Sequence, residues 1–226
     1  MKLILGTANF GGQYGHGESP SLAEIERILN VAADAGIEYI DTAPAYNCDY
    51  AYNGFKVITK TPFRFGGYEH YYNKCYALLQ HDPDGGLDIV SFAKTLGFVD
   101  KYGISIYTVE QMQKALHGDP DIIQLPMNIA DNRFIPYLPE LHKRGIEVHA
   151  RSVFLQGALL EGRFNLPKYT AAQCLAFVLA QNVDGVVVGV NTAEQLQELV
   201  KVKPINYQGL NICDERIIDP RKWGDM

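Results

Sequence analysis

The sequence predicts a (β/α)8 barrel formed by a single domain, residues 1–226. Short β-branched or aromatic runs alternate with helical periodicity almost from end to end, which is typical of a parallel sheet wrapped by helices. Eight such runs occur, the number that a closed barrel of this class requires. No linker rich in Pro, Gly or Ser interrupts the alternation, so one hydrophobic core is expected.

The eight predicted strands are short apolar segments bounded by turn residues. In chain order they are Lys2–Ala8, Glu38–Thr42, Phe55–Thr59, Cys75–Gln80, Tyr102–Ile106, Ile122–Leu125, Ile146–Ser152 and Gly185–Val188. Only about a dozen residues separate the second strand from the third and the third from the fourth, close to the minimum for a parallel crossover. The helices after strands 2 and 3 are therefore expected to be shortened or missing.

Capping patterns mark four helix starts. Ser21 and Glu24 form an S-x-x-E capping box, and apolar residues follow at helical spacing as far as Gly36. The related T-x-x-Q pattern stands just before three further apolar-periodic runs, at Thr108–Gln111, Thr170–Gln173 and Thr192–Gln195.

Composition favours small-molecule chemistry. The formal net charge is −6, and no block of Lys or Arg suggests binding to nucleic acid or to an anionic membrane. Four scattered cysteines and a start without a signal-peptide pattern predict a cytoplasmic protein. The longest apolar stretches are far below the roughly 18 residues of a membrane span. The histidines show no metal-ligand spacing, so no metal is expected.

Polar residues close three consecutive predicted strands. Asp41 ends the second strand and Tyr46 lies on the following loop, while Lys60 ends the third and His81 the fourth. Each alone has a structural interpretation, such as a cap, a solvated lysine or a packing histidine. As an ordered set at the end of the barrel where reactive groups gather, they predict an acid–base cluster.

Nearly the whole chain resembles the aldo-keto reductase family. The matching segments are LGTANFGGQYG, AGIEYIDTAPAY, VITKTP, LLQHDP, YGISIYT, DIIQLPMN, RGIEVHARSVFLQGALL and VVVGVNTAEQLQE. The HARSVFLQGALL loop and the DERIIDPRKW ending are similar to those of a bacterial branch associated with cell-surface sugar biosynthesis.

The resemblance implies NAD(P)H-dependent reduction of an aldehyde or ketone, with sugar-derived aldehydes among the candidates. Tyr46 would be the general acid, Lys60 would lower its pKa, Asp41 would hold Lys60, and His81 would orient the carbonyl. NADP(H) is the family's usual cofactor. NAD(H) stays open because no Arg or Lys occurs between Gly189 and Gln197 to neutralise a 2′-phosphate.

The resemblance also implies a cofactor site made of four groups of residues. They are Gly6, Thr7, Ser105 and Gln124 at the nicotinamide end; Ser152, Phe154, Leu155 and Gly157 near the pyrophosphate; Gly189, Val190, Asn191 and Thr192 at a helix start whose unpaired N–H groups favour an adenosine phosphate; and Gln195 and Glu198 near adenine and ribose. A plain turn and a solvated helix face are the structural alternatives for the second and fourth groups.

The chain departs from the family pattern at two places. Ile106 follows Ser105 where the family commonly has Asn, and residues 47–49 replace a Gly-x-Ser-Glu turn. A non-catalytic nicotinamide-binding or regulatory protein therefore remains an alternative, as does isomerase or epimerase chemistry on a sugar. Arg151 is expected to bind a charged substrate group or to form a buried ion pair, and Trp223 to anchor the tail. Either a monomer or a homodimer is compatible with the sequence.

Overall fold

The computed structural model describes residues 1–12, 18–48, 50, 52–61, 75–81, 84, 91, 94–95 and 97–225. Eight parallel strands close into a barrel in sequence order. They are β1 Lys2–Gly6, β2 Tyr39–Asp41, β3 Lys56–Lys60, β4 Cys75–Gln80, β5 Lys101–Ser105, β6 Ile122–Pro126, β7 Glu147–Arg151 and β8 Gly185–Gly189. Closure comes from β8 against β1, where Lys2 lies opposite Gly185 and Gly6 opposite Gly189.

All eight predicted strands are confirmed, with ends shifted by one or two residues. The largest difference is in β1, which ends at Gly6 because Ala8–Gly11 turns into a 3-10 helix. Strand β3 extends to Lys60, so the lysine belongs to the strand itself.

The α-helices of the described residues are α1 Leu22–Asp34, α2 Val109–Ala115, α3 Leu138–Lys143, α4 Ala158–Glu161, α5 Ala171–Leu179, α6 Ala193–Leu199 and α7 Glu215–Ile218. Short 3-10 helices include Ala8–Gly11, Pro44–Tyr46, Leu116–Gly118, Ile135–Tyr137, Leu155–Gly157, Arg163–Asn165 and Pro220–Asp225.

The predicted caps form at all four helix starts. The Ser21 hydroxyl accepts a hydrogen bond from the Glu24 N–H, and Thr108 and Thr170 each complete a reciprocal capping box. Thr192 accepts from the Gln195 N–H, but the Gln195 side chain accepts from the Asn191 N–H, one residue before the usual partner.

The connection from β2 to β3 contains a 3-10 turn and no α-helix within its described residues, as the short spacing predicted. The Tyr52 side chain is buried and Tyr50 packs against the core, so aromatic rings cover this part of the barrel. The connection from β3 to β4, residues 62–74, lies outside the described residues, and so does the prediction for its helix.

Aliphatic side chains such as Ile4, Ile58 and Leu79 form a small core cluster separate from the larger one. At the starts of the strands lies a group of polar residues, here called the basal cluster: Lys2, Tyr76, Lys101, Glu147 and His149. The Glu147 carboxylate pairs with Lys2 and Lys101, accepts from the Tyr76 hydroxyl at 3.2 Å and contacts His149 Nε2 at 3.3 Å.

The described residues contain neither a membrane-spanning helix nor a candidate metal site. No helix among them has both the length and the apolar composition needed to cross a bilayer. In the same residues, no three His, Cys, Asp or Glu side chains converge as a candidate metal site.

Candidate active site

Asp41 and Lys60 form a buried ion pair at the C-terminal ends of β2 and β3. These strands pair with Asp41 opposite Ile58, which places Lys60 two residues further along the neighbouring strand. The Lys60 ammonium pairs with Asp41 Oδ1, and both residues are at most 3% exposed. Strand register therefore brings the two charges together.

Tyr46 completes the group from the 3-10 turn after β2. Its hydroxyl oxygen lies 3.2 Å from Lys60 Nζ. The turn ends at Asn47, whose φ of 51° is in the left-handed region. Gly11 makes this placement sterically feasible, since a Cβ there would lie 1.4 Å from the Tyr46 carbonyl oxygen. Gly11 was not predicted as a site residue, although the GG pair after Phe10 marks a close turn.

Lys60 is protonated in this environment. Burial alone would lower the pKa of Lys60, but the Asp41 carboxylate and the Tyr46 hydroxyl outweigh it and raise that pKa above its ordinary value. A fixed positive charge therefore lies in hydrogen-bond contact with the Tyr46 phenol.

His81 lies beside Tyr46. Its backbone N–H donates to Thr61 Oγ1 at 2.9 Å, and the ring centroids of His81 and Tyr46 are 6.1 Å apart with the planes perpendicular. Burial lowers the pKa of His81 to about 4, helped by the positive charges of Lys60 and Arg151 against the opposing effect of Asp41. The imidazole is therefore neutral near pH 7.

Gln124 on β6 supports Asp41 from the side opposite Lys60. Its Nε2 donates to Asp41 Oδ2 at 2.8 Å. A carboxylate only accepts hydrogen bonds, so this contact fixes the amide orientation. The buried Gln124 Oε1 is left with no hydrogen-bond partner in the described part of the chain. An acceptor of this kind fits a ligand N–H.

A cavity of about 390 Å³ opens at this end of the barrel. Asp41 and Tyr46 line it, and the lining continues across β7 and β8 to Gln195 and Glu198 on α6. Its volume falls in the usual range of roughly 300–1,000 Å³ for small-molecule and cofactor sites. Two of the four predicted acid–base residues, Asp41 and Tyr46, therefore border a space large enough for a ligand, while Lys60 and His81 lie outside its lining.

Comparison with known proteins places this geometry in a family context. The model of the aldo/keto reductase family matches residues 2–62, which include Asp41, Tyr46 and Lys60. The structure is similar to an aldo-keto reductase from Bacillus halodurans in its holo form, with 19% identity, coverage of 90% of this chain and 88% of the other, and a TM-score of 0.68. The resemblance to the aldo-keto reductases is confirmed.

A glycerol dehydrogenase from Gluconobacter oxydans shares the same fold. It is 19% identical, with coverage of 94% of this chain and 88% of the other and a TM-score of 0.65. The search of curated protein sequences found no match to this chain. The predicted link to a branch associated with cell-surface sugar biosynthesis stays a prediction.

Most residues predicted from the aldo-keto reductase pattern to bind a cofactor line the cavity. These are Gly6, Ser152, Phe154, Gly157, Gly189, Val190, Asn191, Gln195 and Glu198. Gly6 and Gly189 lie where a side chain would be crowded, since a Cβ at either would lie 3.0 Å from a neighbouring side-chain atom.

Five predicted residues lie outside the lining: Thr7, Ser105, Gln124, Leu155 and Thr192. Thr7 is fully buried, and its hydroxyl oxygen lies 2.9 Å from Thr42 Oγ1 and 3.3 Å from the Asp41 carbonyl oxygen, so it supports the turn that carries Tyr46. Leu155 is fully buried in the core. Thr192 caps α6.

The N-terminus of α6 is already occupied by protein groups. The Ala193 N–H donates to Glu24 Oε1 at 2.7 Å, and the Gln195 N–H donates to Thr192 Oγ1 at 3.2 Å. The expectation of unpaired N–H groups at this helix start is therefore wrong for these two positions. The T-x-x-Q cap predicted the second of these bonds, whereas the first could not be predicted because Glu24 comes from α1, 169 residues away.

The loop after β7 adopts an unusual backbone. Ser152, Leu155 and Gln156 have φ values of 60°, 48° and 48°, and Gly157 has 87°. Left-handed non-glycine residues are strained and cluster at functional sites. Ser152, Gln156 and Gly157 line the cavity, and Gln156 was not among the predicted residues. Asn9, also missed, follows β1 and donates at 2.7 Å to Asn191 Oδ1, which follows the neighbouring strand β8.

Proposed function

We propose that this protein reduces an aldehyde or ketone to an alcohol with a reduced nicotinamide, using Tyr46 as the general acid. The observation that carries the proposal is the Lys60 ammonium, which is buried between the Asp41 carboxylate and the Tyr46 hydroxyl. The family match and the fold neighbours support oxidoreductase activity on carbonyl compounds.

Tyr46 requires help to act near neutral pH, because an unperturbed tyrosine titrates near pH ~10. A cation at hydrogen-bond distance stabilises the phenolate and so lowers the phenol pKa. Lys60 supplies that charge, and Asp41 keeps Lys60 protonated and in place. Tyr46 can then donate its proton to the oxygen of the carbonyl as the alcohol forms.

His81 is suited to holding the substrate carbonyl. A neutral imidazole has one N–H donor, and a donor aimed at the carbonyl oxygen stabilises the negative charge that develops there. The low pKa of His81 keeps it in this neutral form across the physiological range. We therefore assign it positioning of the carbonyl beside Tyr46.

The residues present fit a nicotinamide dinucleotide. Gln124 Oε1, which has no partner among the described residues, and Ser105, which pairs in register with it, are the groups that the family resemblance assigns to the carboxamide, although both are buried and lie outside the cavity lining. When bound, the reduced nicotinamide supplies the hydride that adds to the carbonyl carbon. Cavity-lining glycines at positions 6, 157 and 189 leave room for the rest of the molecule.

The charges at the far end of the cavity favour NAD(H) over the family's usual NADP(H). Glu198 lines the cavity there, and Glu194 lies one turn earlier on α6. Arg27 is already bonded to Glu24 and Glu194. The 2′-phosphate of NADP(H) would add negative charge beside these carboxylates, and the nearby Arg27 is already paired. We therefore propose that NAD(H) binds more tightly than NADP(H).

The test is oxidation of NADH and NADPH by the purified protein against a panel of small aldehydes and ketones, with cofactor binding measured in parallel by fluorescence. Because one fold neighbour is a glycerol dehydrogenase, glyceraldehyde and dihydroxyacetone belong in the panel beside sugar-derived aldehydes. Turnover of at least one carbonyl is expected. Tight cofactor binding without any oxidation would instead favour a non-catalytic binding protein, a role that the β2–β3 connection, which has no α-helix in its described residues, leaves open.

A further inference from the structure

Arg151 occupies a position at the mouth of the barrel that the proposed mechanism does not use. It is the last residue of β7, it is half-buried, and it lines the same cavity as Asp41 and Tyr46. Its charge also acts on His81, whose pKa it helps to lower. Arg151 therefore lies within electrostatic range of the candidate catalytic group.

The guanidinium of Arg151 is held in one orientation by neutral groups. Nε donates to Ser105 Oγ at 3.1 Å, Nη1 to Ser152 Oγ at 3.1 Å, and Nη2 to the Ile106 carbonyl oxygen at 2.8 Å. The same guanidinium stacks on the Tyr107 ring, with its central carbon 4.1 Å from the ring centroid. These contacts fix its position without neutralising its charge.

Arg151 differs in this respect from two neighbouring arginines. Arg133 forms a two-point pair with Asp131, with both N–O distances at 2.9 Å, and Arg221 pairs in the same way with Asp219. Arg151 forms no ion pair with any carboxylate among the residues that the structure describes. The expected alternative of a structural ion pair at Arg151 is therefore not what the described residues show.

Arg151 keeps two N–H donors that its three hydrogen bonds do not use. A guanidinium carries five N–H groups, one on Nε and two on each terminal nitrogen. The three hydrogen bonds use one N–H on each nitrogen, which leaves one further N–H on Nη1 and one on Nη2. Two adjacent N–H groups on a planar cation match the two oxygens of a carboxylate or phosphate.

We propose that Arg151 binds an anionic group of the substrate, so that the preferred substrates are aldehydes or ketones that carry a carboxylate or phosphate. This inference rests on the proposed function in one respect: the anion belongs to a substrate only if the protein reduces carbonyl compounds. The anion site itself does not depend on turnover. The other source of an oxyanion in this cavity would be the phosphates of the cofactor, and the test separates the two.

The experiment compares succinic semialdehyde with its methyl ester, which has the same carbonyl without the negative charge. The wild-type protein is expected to show a kcat/KM for the acid roughly 10- to 100-fold above that for the ester, the range of a charge-assisted hydrogen-bonded pair. In Arg151→Gln this ratio falls to about one, and in Arg151→Lys, which keeps the charge without the fork, it is intermediate. Arg144→Gln, a change at an exposed arginine on the outside of the barrel, leaves the ratio unchanged.

Two results would overturn the proposal. One is a wild-type ratio near one. The other is an equal loss for acid and ester in Arg151→Gln together with weaker NADH binding, which would assign the guanidinium to the cofactor phosphates. If no carbonyl is reduced at all, the proposed function fails, and calorimetry with the unreactive dicarboxylate succinate still tests the anion site. Succinate binding that is lost in Arg151→Gln supports the site, and absence of binding to the wild-type protein refutes it.

Discussion

The two ends of the barrel both contain buried charges, but the charges are balanced differently. At the strand starts, Glu147 of the basal cluster has two lysines, a tyrosine and a histidine as partners. Among the described residues at the strand ends, Asp41 has a single cation, Lys60, and the Arg151 guanidinium nearby has only neutral hydrogen-bond partners. The Lys60 charge is shared with a phenol that borders the cavity.

This difference indicates that the buried charges at the strand starts stabilise the fold, while those at the strand ends are available to a ligand. A carboxylate with several partners keeps the remaining hydrogen bonds when one partner is lost, which suits a structural role. At the other end, an unpartnered amide oxygen, an unneutralised guanidinium and a phenol beside a cation leave interactions for a ligand to complete. Active sites of such barrels occupy the C-terminal face of the strands, while the N-terminal face serves stability.

The largest expected effect comes from removing the Tyr46 hydroxyl, and the matched control removes the Tyr76 hydroxyl at the other end of the barrel. Tyr46→Phe should reduce kcat/KM for carbonyl reduction by roughly 10²- to 10⁴-fold because the general acid is lost. It should change stability by about 1 kcal/mol or less, since Lys60 keeps Asp41. The matched change Tyr76→Phe, in the basal cluster, should leave kcat/KM within about twofold and cost about 1 kcal/mol. Steady-state kinetics with urea unfolding checks both, and a fully active Tyr46→Phe would remove Tyr46 from the mechanism.

The next effect concerns stability alone. Glu147→Gln leaves Lys2 and Lys101 without their shared carboxylate, and we expect a loss of about 2–3 kcal/mol in unfolding free energy. The value is below that of a fully buried pair because both lysine side chains are about a third exposed. Glu38→Gln, at an exposed pair with Lys56, is the control and should leave the unfolding free energy almost unchanged, because water screens an exposed pair. A similar loss in both variants would mean that the basal cluster has no special role.

A smaller effect is expected at the far end of the cavity. Glu198→Arg should raise the affinity for NADPH relative to NADH by roughly tenfold, because a repulsive carboxylate becomes a cation that can pair with the 2′-phosphate. Fluorescence titration gives both dissociation constants. Glu18→Arg makes the same charge change at an exposed position outside the cavity lining and should leave the ratio unaltered. An unchanged ratio in Glu198→Arg would place the adenosine elsewhere.

An effect of about the same size is a pH dependence of stability from His81. Its pKa falls from an ordinary 6.5 to about 4 in the folded protein, so the unfolded chain binds the proton first as the pH drops. The stability contributed by neutral His81 is therefore present above pH 6.5 and is lost between pH 6.5 and about 4. His81→Gln should reduce the difference in unfolding free energy between pH 7.5 and 4.5 by about 1–2 kcal/mol. This value is lowered to allow for the partial exposure of the ring. Denaturation at pH 7.5 and 4.5 measures it, with the exposed His117→Gln as control.

Local patterns predicted the elements and the placement of the candidate acid–base residues well. The capping boxes of Thr108 and Thr170 and the apolar spacing of α1 involve residues within one or two helical turns, so they are legible in the sequence. Polar residues at strand ends could be placed at one mouth because parallel strands in a barrel share a direction.

Pairings between distant residues could not be predicted in the same way. The sequence placed Thr7 at the ligand, but its hydroxyl bonds Thr42 beneath the Tyr46 turn. It also left the start of α6 open for a phosphate, where Glu24 from α1 supplies the acceptor. The basal cluster was missed entirely because Lys2 and Glu147 are 145 residues apart and each looks like an ordinary charged residue at the start of a strand.

The sequence by itself determined the eight strands, their parallel order and the set of Asp41, Tyr46, Lys60 and His81, since periodicity, caps and strand-end residues are local signals. Only the tertiary structure decided which buried charges are neutralised. Strand register and barrel closure choose partners from elements far apart in the chain. They gave Glu147 several partners, gave Asp41 one cation, and left Arg151 with neutral neighbours beside the cavity.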